Sequence, residues 1–245
     1  MLALIADIHS NLEALEACLE HARHHEAECY IFLGDLVGYN ADPVAVVDRV
    51  SRCVEEGALA VMGNHDAAVG VHDSGMNGMA RVAIDWTRLQ LRPDQAEFLR
   101  GLPLVLRQGD CCFVHASAAN PERWNYVHSG LQAGASLEAA NSRYVFSGHV
   151  HEQALYFSGA DDCPEVFLPT PGVAIPVGRH RRWLALAGSA GQPRDGSPAA
   201  CYALFDEAHA LLTFHRVPYD HHAAAAKVRA AGLPEEFAWR LETGQ

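Results

Sequence analysis

The feature that most constrains this chain is an alternation that fills its first 66 residues. "LALIA" (2–6) is an apolar run. "SNLEALEACLEHA" (10–22) sets Leu12, Leu15 and Leu19 at helical spacing, with Ser10 or Asn11 as cap. "CYIFLGD" (29–35) is a second apolar run. "DPVAVVDRVSRC" (42–53) is a second helix, with Asp42 as cap and Pro43 in its first turn. "LAVMGNHD" (59–66) opens as a third strand, its apolar stretch at 58–62 closed by Gly63. Strand, helix, strand, helix, strand is the pattern of a parallel sheet with helices packed on it, because parallel neighbours need crossovers.

The rest of the chain is less regular. Residues 76–100 read as helical, with Pro93 starting a second helix. "LPLVLRQ" and "CCFVHAS" read as a strand hairpin around Gly109 and Asp110, "LQAGASLEAANSR" as a weak helix, and "YVFSGH" as a strand. Short strands then dominate from 153 to 217: "ALYF", "EVFLP", "RRWLALAG", and the paired "CYALFD" and "LLTFHRV". "HHAAAAKVRAAG" and "PEEFAWRLETG" make a closing helical tail at about 221–243. "SAGQPRDGSP" (189–198) is the most loop-like stretch, too short to separate domains, so a single domain over 1–245 is expected.

The strands end alike. "LALIA" runs into Asp7 and His9, "YIFLG" into Asp35, "LAVMG" into Asn64, His65 and Asp66, "CCFV" into His115, and "YVFSG" into His149 and His151. In an open α/β sheet ligands bind outside the carboxyl ends of the strands. Residues two apart on an extended strand face the same way, which pairs Asp7 with His9 and His149 with His151. A set of imidazoles, carboxylates and one amide without thiolate suits Mn, Fe, Zn, Co or Ni better than Ca or Mg. So many groups exceed what one ion takes, and two ions sharing a bridging carboxylate use them economically.

A formal net charge of −12 disfavours long nucleic acid as a partner. The densest basic run, "GRHRRW" (178–183), reads as a hairpin end. The N-terminus has no basic leader, no stretch is long enough to span a bilayer, and the seven cysteines sit mostly in apolar runs. The expectation is a cytoplasmic protein with reduced thiols, without membrane or long nucleic-acid partners, and a monomer or homodimer. The histidines of "HARHHE" (21–26) and "DHH" (220–222) read as solvated helix surface, with metal binding in a crystal as the alternative. In "NPERWNYVHSG" (120–130), Arg123, Trp124, Tyr126 and His128 belong either to a surface loop packed on the core or to a wall facing substrate.

"ADIHSN", "GDLVGYN", "GNHD", "VHAS" and "GHVH", in that order, resemble the signature blocks of the calcineurin-like metallophosphoesterase superfamily. "GQPRDGSPAACYALFD" and the Tyr219-Asp220 pair resemble its small single-domain microbial branch. One departure is "LAGSAGQ", where the family pattern has Asn-Pro-Gly-Ser-Val. The resemblance implies an α/β/β/α sandwich of two mixed sheets flanked by helices. It implies two divalent ions, manganese first among Mn, Fe, Zn, Ni and Co, with Asp7, His9 and His151 on one, Asn64, His115 and His149 on the other, and Asp35 bridging. It implies hydrolysis of a small phosphate ester by a metal-bridging hydroxide; the net charge, and Trp124 and Tyr126 as stacking faces, favour an ester of phosphodiester or nucleotide type. His65 would protonate the leaving oxygen, and Asp66 would accept a hydrogen bond from His65 and fix its tautomer. Gly63 would let the chain turn beside the ions. A protein serine/threonine phosphatase and a non-catalytic metal-binding scaffold on the same fold are the alternatives.

Overall fold

The computed structural model describes residues 1–71, 76, 78–158 and 163–245. Strands β1 (Leu2–Ile5), β2 (Cys29–Phe32) and β3 (Leu59–Ala60) run parallel, joined by α1 (Leu12–His24) and α2 (Pro43–Glu55). Asn11 caps α1, its Oδ1 accepting from the Ala14 N–H at 3.1 Å. After α3 (Asn64–Val69), α4 (Gly78–Gln90) and α5 (Pro93–Gly101), β4 (Val105–Gln108) and β5 (Cys111–Val114) form the expected hairpin. Helix α6 (Gly130–Ala140) leads into β6 (Tyr144–Ser147), β7 (Gln153–Phe157), β8 (Glu165–Phe167), β9 (Ala174–Pro176), β10 (Trp183–Ala187), β11 (Ala200–Asp206) and β12 (Leu211–Val217). Helices α7 (His221–Ala230) and α8 (Glu235–Thr243) close the chain.

The strands form two six-stranded mixed sheets, ordered β3-β2-β1-β11-β12-β9 and β4-β5-β6-β10-β7-β8. Alternation along β1 shows how they stack. Ala3 and Ile5 pack toward Leu15, Leu19, Val46 and Val50 of α1 and α2. Leu4 pairs instead with Phe113, Phe146, Phe205 and Phe214 in the layer between the sheets. The outer face of the second sheet is covered by Ala133, Leu137 and Ala140 of α6. Both faces of each central strand are thus buried, which is why these strands read as continuous apolar runs. The α/β/β/α sandwich expected from the sequence is the architecture found.

Several local expectations are corrected. β3 is only two residues long, because the Met62 N–H leaves the ladder for the Pro103 carbonyl at 2.8 Å. The Asp42 side chain does not bond the first turn of α2; it accepts from Lys227 Nζ at 2.7 Å. Strand β9 has no counterpart in the sequence reading. "GRHRRW" does not close a hairpin but carries the chain from β9 in one sheet to β10 in the other. Of the helical segment expected at 76–100, residue 77 lies outside the described residues.

All seven cysteines are free, and burial pushes the Cys111 thiol up to about 12, which makes it a packing group at neutral pH. Among the described residues no helix is long and apolar enough to cross a membrane.

Candidate metal centre

The carboxyl ends of β1, β2, β3, β5 and β6 converge on one edge of the sandwich, and each releases its donors there. The donors do not sit on extended backbone as the sequence spacing implied. Asp7 (φ 53°), His9 (φ 48°), Asp35 (φ 53°), His149 (φ 69°) and His151 (φ 67°) are all left-handed. Such a residue without glycine costs on the order of 1–3 kcal/mol. The conformation is imposed by backbone bonds that zip the two strand exits together: Asp7 N–H to Gly34 O at 3.0 Å, His9 N–H to Asp35 O at 2.9 Å and Ser10 N–H to Leu36 O at 2.9 Å. Turning at each donor, rather than extending through it, aims alternate side chains at the same point.

Two donor sets result, and Asp35 touches both. In the first, Asp7 Oδ1 lies 3.2 Å from His151 Nε2 and 3.8 Å from His9 Nε2, and those two nitrogens face each other at 3.1 Å. In the second, His115 Nε2 lies 3.1 Å from both Asn64 Oδ1 and His149 Nδ1. Asp35 Oδ2 stands 3.7 Å from His9 Nε2 and 3.4 Å from His115 Nε2, between the sets. The seven residues singled out in the sequence are therefore brought together.

The far sides of three of the four rings are held by the main chain. His9 Nδ1–H donates to Val37 O at 3.1 Å, His115 Nδ1–H to Leu33 O at 2.8 Å and His151 Nδ1–H to Gln192 O at 2.6 Å. That tautomer leaves Nε2 as a lone-pair donor, the usual support for a metal-binding imidazole. His149 is reversed: Nδ1 faces the set, and Nε2 is buried without a partner.

The donor set fits cations. Asp7 and Asp35 are buried, and Asp7 Oδ1 accepts no hydrogen bond. Burial would raise the Asp7 carboxyl, but His151 and His115 outweigh it and hold it at about 2. Asp35 is likewise held well below the carboxylate range, chiefly by His115 and His65 against the opposing effect of burial. Desolvation pushes His149 down to about 3 and His9 well below its ordinary value, so both are neutral donors at neutral pH. His115 alone goes the other way: burial lowers it, but Asp35 and Asp7 lift it to about 9. Without a metal ion, the positive charge that these carboxylates require comes from a proton on His115.

His65 and Asp66 separate. His65 is 3% exposed, its backbone N–H donates to Asp35 Oδ1 at 2.8 Å, and its ring packs against Tyr39 and His9. Its Nδ1 has no partner. The expected bond from His65 to Asp66 is absent. Asp66 Oδ1 accepts from the Leu36 and Val37 N–H groups at 2.9 and 3.3 Å, and Oδ2 from the Gly63 N–H at 2.9 Å. Asp66 lies at the third position of α3, and its carboxylate reaches back to the residue before the helix and across to the β2 exit loop. It fixes the loops that carry Asp35 and Asn64 and does not orient an imidazole. Gly63 has an ordinary φ of −100°, so no unusual turn requires glycine. What requires it is space: a Cβ there would collide with Asp35 Oδ1 and the Asp35 backbone.

Above the donors opens a cavity of about 270 Å³. Trp124 and Tyr126 line it, whereas Arg123 and His128 are exposed and do not. Tyr126 stacks on His149 with centroids 4.0 Å apart, and Trp124 meets His115 edge-on at 6.0 Å. Four lining residues, Tyr39, Met76, Ala80 and Arg194, were not singled out in the sequence. Tyr39 follows Asp35 by four residues in the same strand-exit loop. Arg194 is the cation of the loop-like "SAGQPRDGSP", the stretch beginning where the family pattern is broken. The start of that loop is buried support: Gln192 O holds His151, and Ser189 Oγ–H donates to Asp7 O at 2.8 Å.

Two packed mixed sheets with a nitrogen and oxygen donor cluster on their shared carboxyl edge define a metallophosphoesterase fold. The chain belongs to the calcineurin-like phosphoesterase superfamily, whose domain profile matches residues 1–210. It is 32% identical to an uncharacterized protein of Methanocaldococcus jannaschii over 256 aligned positions, covering 100% of this chain and 98% of that one. A crystal structure of a metallophosphoesterase from Sphaerobacter thermophilus is similar at a TM-score of 0.88 and 34% identity, covering 100% of this chain and 98% of the other. A hypothetical protein from Pyrococcus horikoshii OT3 shares the fold at a TM-score of 0.78 and 19% identity, covering 100% and 99%.

Proposed function

We propose that this chain is a metal-dependent phosphoesterase holding two divalent ions and acting on a small phosphate ester, of phosphodiester or nucleotide type. The observation that carries the reading is the position of Asp35 Oδ2, within reach of both donor sets at 3.7 and 3.4 Å. Asp7, His9 and His151 hold one ion; Asn64, His115 and His149 hold the other. Manganese fits the mixed imidazole, amide and carboxylate donors, as do Fe, Zn, Ni and Co. Ions held there supply Lewis acidity toward phosphoryl oxygens and lower the pKa of a water nucleophile.

The remaining steps belong to the protein. Asn64 adds an oxygen without adding negative charge, so its set keeps more of the cation's field. Arg194, with its Nε buried and unpartnered, offers N–H donors to a phosphate oxygen at the cavity wall. Burial pushes His65 down to about 4, so in the free protein its ring is neutral. A phosphate anion bound beside it favours the protonated form, which lets His65 hydrogen-bond and protonate the leaving oxygen. Trp124 and Tyr126 present aromatic surface on which a base or aryl group stacks, worth roughly 1–3 kcal/mol. The seven free thiols support a reducing compartment such as the cytoplasm.

The test compares kcat/KM for an aryl phosphodiester, its aryl monoester and a phosphopeptide with Mn²⁺, in the native protein and in Trp124→Ala. The diester is expected to lead, with KM raised in the variant. A tenfold or greater preference for the monoester contradicts the diester assignment, and a lead for the phosphopeptide favours a protein phosphatase. Unchanged kinetics in Trp124→Ala return residues 120–130 to a packing role.

A further inference from the structure

A second cluster of imidazoles lies on the far side of the first sheet. His21 on α1 and His25 at its C-cap are one turn apart and stack at 4.3 Å between centroids. His215 of β12 comes up beneath them, 5.0 Å from His21 and 5.1 Å from His25. One ring nitrogen from each lies within 4.8 Å of those of the other two. Helix α1 begins beside the phosphoesterase site and runs 13 residues away from it, about 20 Å.

We infer that His21, His25 and His215 form a separate binding site for one zinc-like divalent ion, linking the C-terminal end of α1 to β12. The hydrogen bonds around the rings are those such a site needs. His21 Nδ1 meets Tyr202 Oη at 2.6 Å, and His25 Nδ1–H donates to the His21 carbonyl at 2.9 Å. The carbonyl fixes the His25 tautomer and leaves its Nε2 free, and His21 presents Nε2 in the same way when its Nδ1–H donates to the Tyr202 hydroxyl. His215 is 8% exposed, and its Nε2 is buried without any hydrogen-bond partner. An unpaired buried ring nitrogen is costly, and a cation in the cluster would satisfy it. Desolvation, followed by the neighbouring imidazoles, pushes His215 down to about 4, and His21 is lowered for the same reasons, so both are neutral donors at neutral pH.

Three imidazoles with no carboxylate or thiolate suit zinc, copper or nickel, and leave zinc a fourth position for water. His25 is exposed, so that position faces solvent. Zinc–nitrogen bonds of about 2.0–2.1 Å require the three ring nitrogens, within 4.8 Å of one another, to close around the ion. The ion would tie the helix layer to the sheet it covers and stabilise the fold by binding the folded state alone.

The test uses the full chain, stripped with chelator and re-equilibrated with excess Zn²⁺, then desalted. Bound zinc is counted by elemental analysis and the melting temperature read with and without Zn²⁺. His25→Ala alters an exposed position, and His215→Gln keeps a polar group in the partly covered one. Each is expected to hold one zinc equivalent fewer than the native chain and to lose part of the zinc-dependent rise in melting temperature. Asp35→Asn, which weakens the phosphoesterase centre, is expected to keep this equivalent, so failure of one site is distinguishable from failure of the other. Equal zinc counts and equal melting shifts in the native chain, His25→Ala and His215→Gln would overturn the proposal.

Discussion

His65 and Asp66 are neighbours in the chain and do different work. His65 lines the cavity, its Nδ1 buried and unpartnered beside Gly38, while Asp66 spends both oxygens on backbone N–H groups. His65→Ala is therefore expected to leave metal content unchanged and to slow turnover by roughly 10²–10⁴, the usual range for lost acid–base help. Substrates with good leaving groups should suffer least. Elemental analysis beside kcat decides it; loss of metal from His65→Ala would make the residue a ligand, a role its proximity to Asp35 and His9 permits geometrically. The residues that converge on the candidate metal centre were legible at this scale, because each follows an apolar run in a short motif. The partners of Asp66 were not, since a sequence shows adjacency and not which way a helix's first turn faces. The same limit hid Arg194, which reaches the cavity from a loop 43 residues after His151 only because Gln192 and Ser189 anchor that loop to His151 and Asp7.

At the scale of elements, the strand–helix alternation and the two-sheet sandwich followed from periodicity and from the resemblance. What escaped the sequence were features set by tertiary hydrogen bonds. β3 is cut short because Met62 bonds Pro103 in the connection between α5 and β4, β9 exists because β12 offers it an open edge, and residues 178–183 cross between sheets. The left-handed residues at the strand exits are another case: Asp and His adopt that backbone more often than other non-glycine residues, but the preference is too weak to mark where the chain turns. The close packing of the β2 and β3 exits makes a prediction. Gly63→Ala puts a methyl group against Asp35 Oδ1 and the Asp35 backbone, so the two exits must separate. The variant is expected to bind metal more weakly in both donor sets and to melt at a lower temperature, although no ligand has been removed. Metal titration followed by melting checks it; native affinity in both sets would mean that the exits move apart without disturbing Asp35.

Over the whole molecule, charge works at two ranges. A net charge of −12 would repel polyanions, while the proposed centre, once loaded with cations, would still attract a single small phosphate. Buried histidines also set how the metal-free protein responds to pH. His65 at about 4, His149 at about 3 and His215 at about 4 are all below the ordinary 6.5, so the unfolded chain takes up their protons first and stability falls as pH drops below 6.5. His115, lifted to about 9, adds stability that is fully present below 6.5 and lost as pH rises toward 9. Chelator-treated protein is therefore expected to melt highest near neutral pH and lower on both sides, and His115→Asn should flatten the alkaline side. A melting temperature that rises steadily from pH 5 to 9 would contradict this charge assignment. The central claim is that one carboxylate, Asp35, joins two donor sets into a single hydrolytic centre. Its most direct test is to count bound Mn²⁺ and measure phosphodiester hydrolysis in the native chain and in Asp35→Asn. The account predicts two manganese ions per native chain, weakened binding of both in the variant, and loss of turnover with them. A variant that loses one ion and keeps the other at native affinity would contradict it.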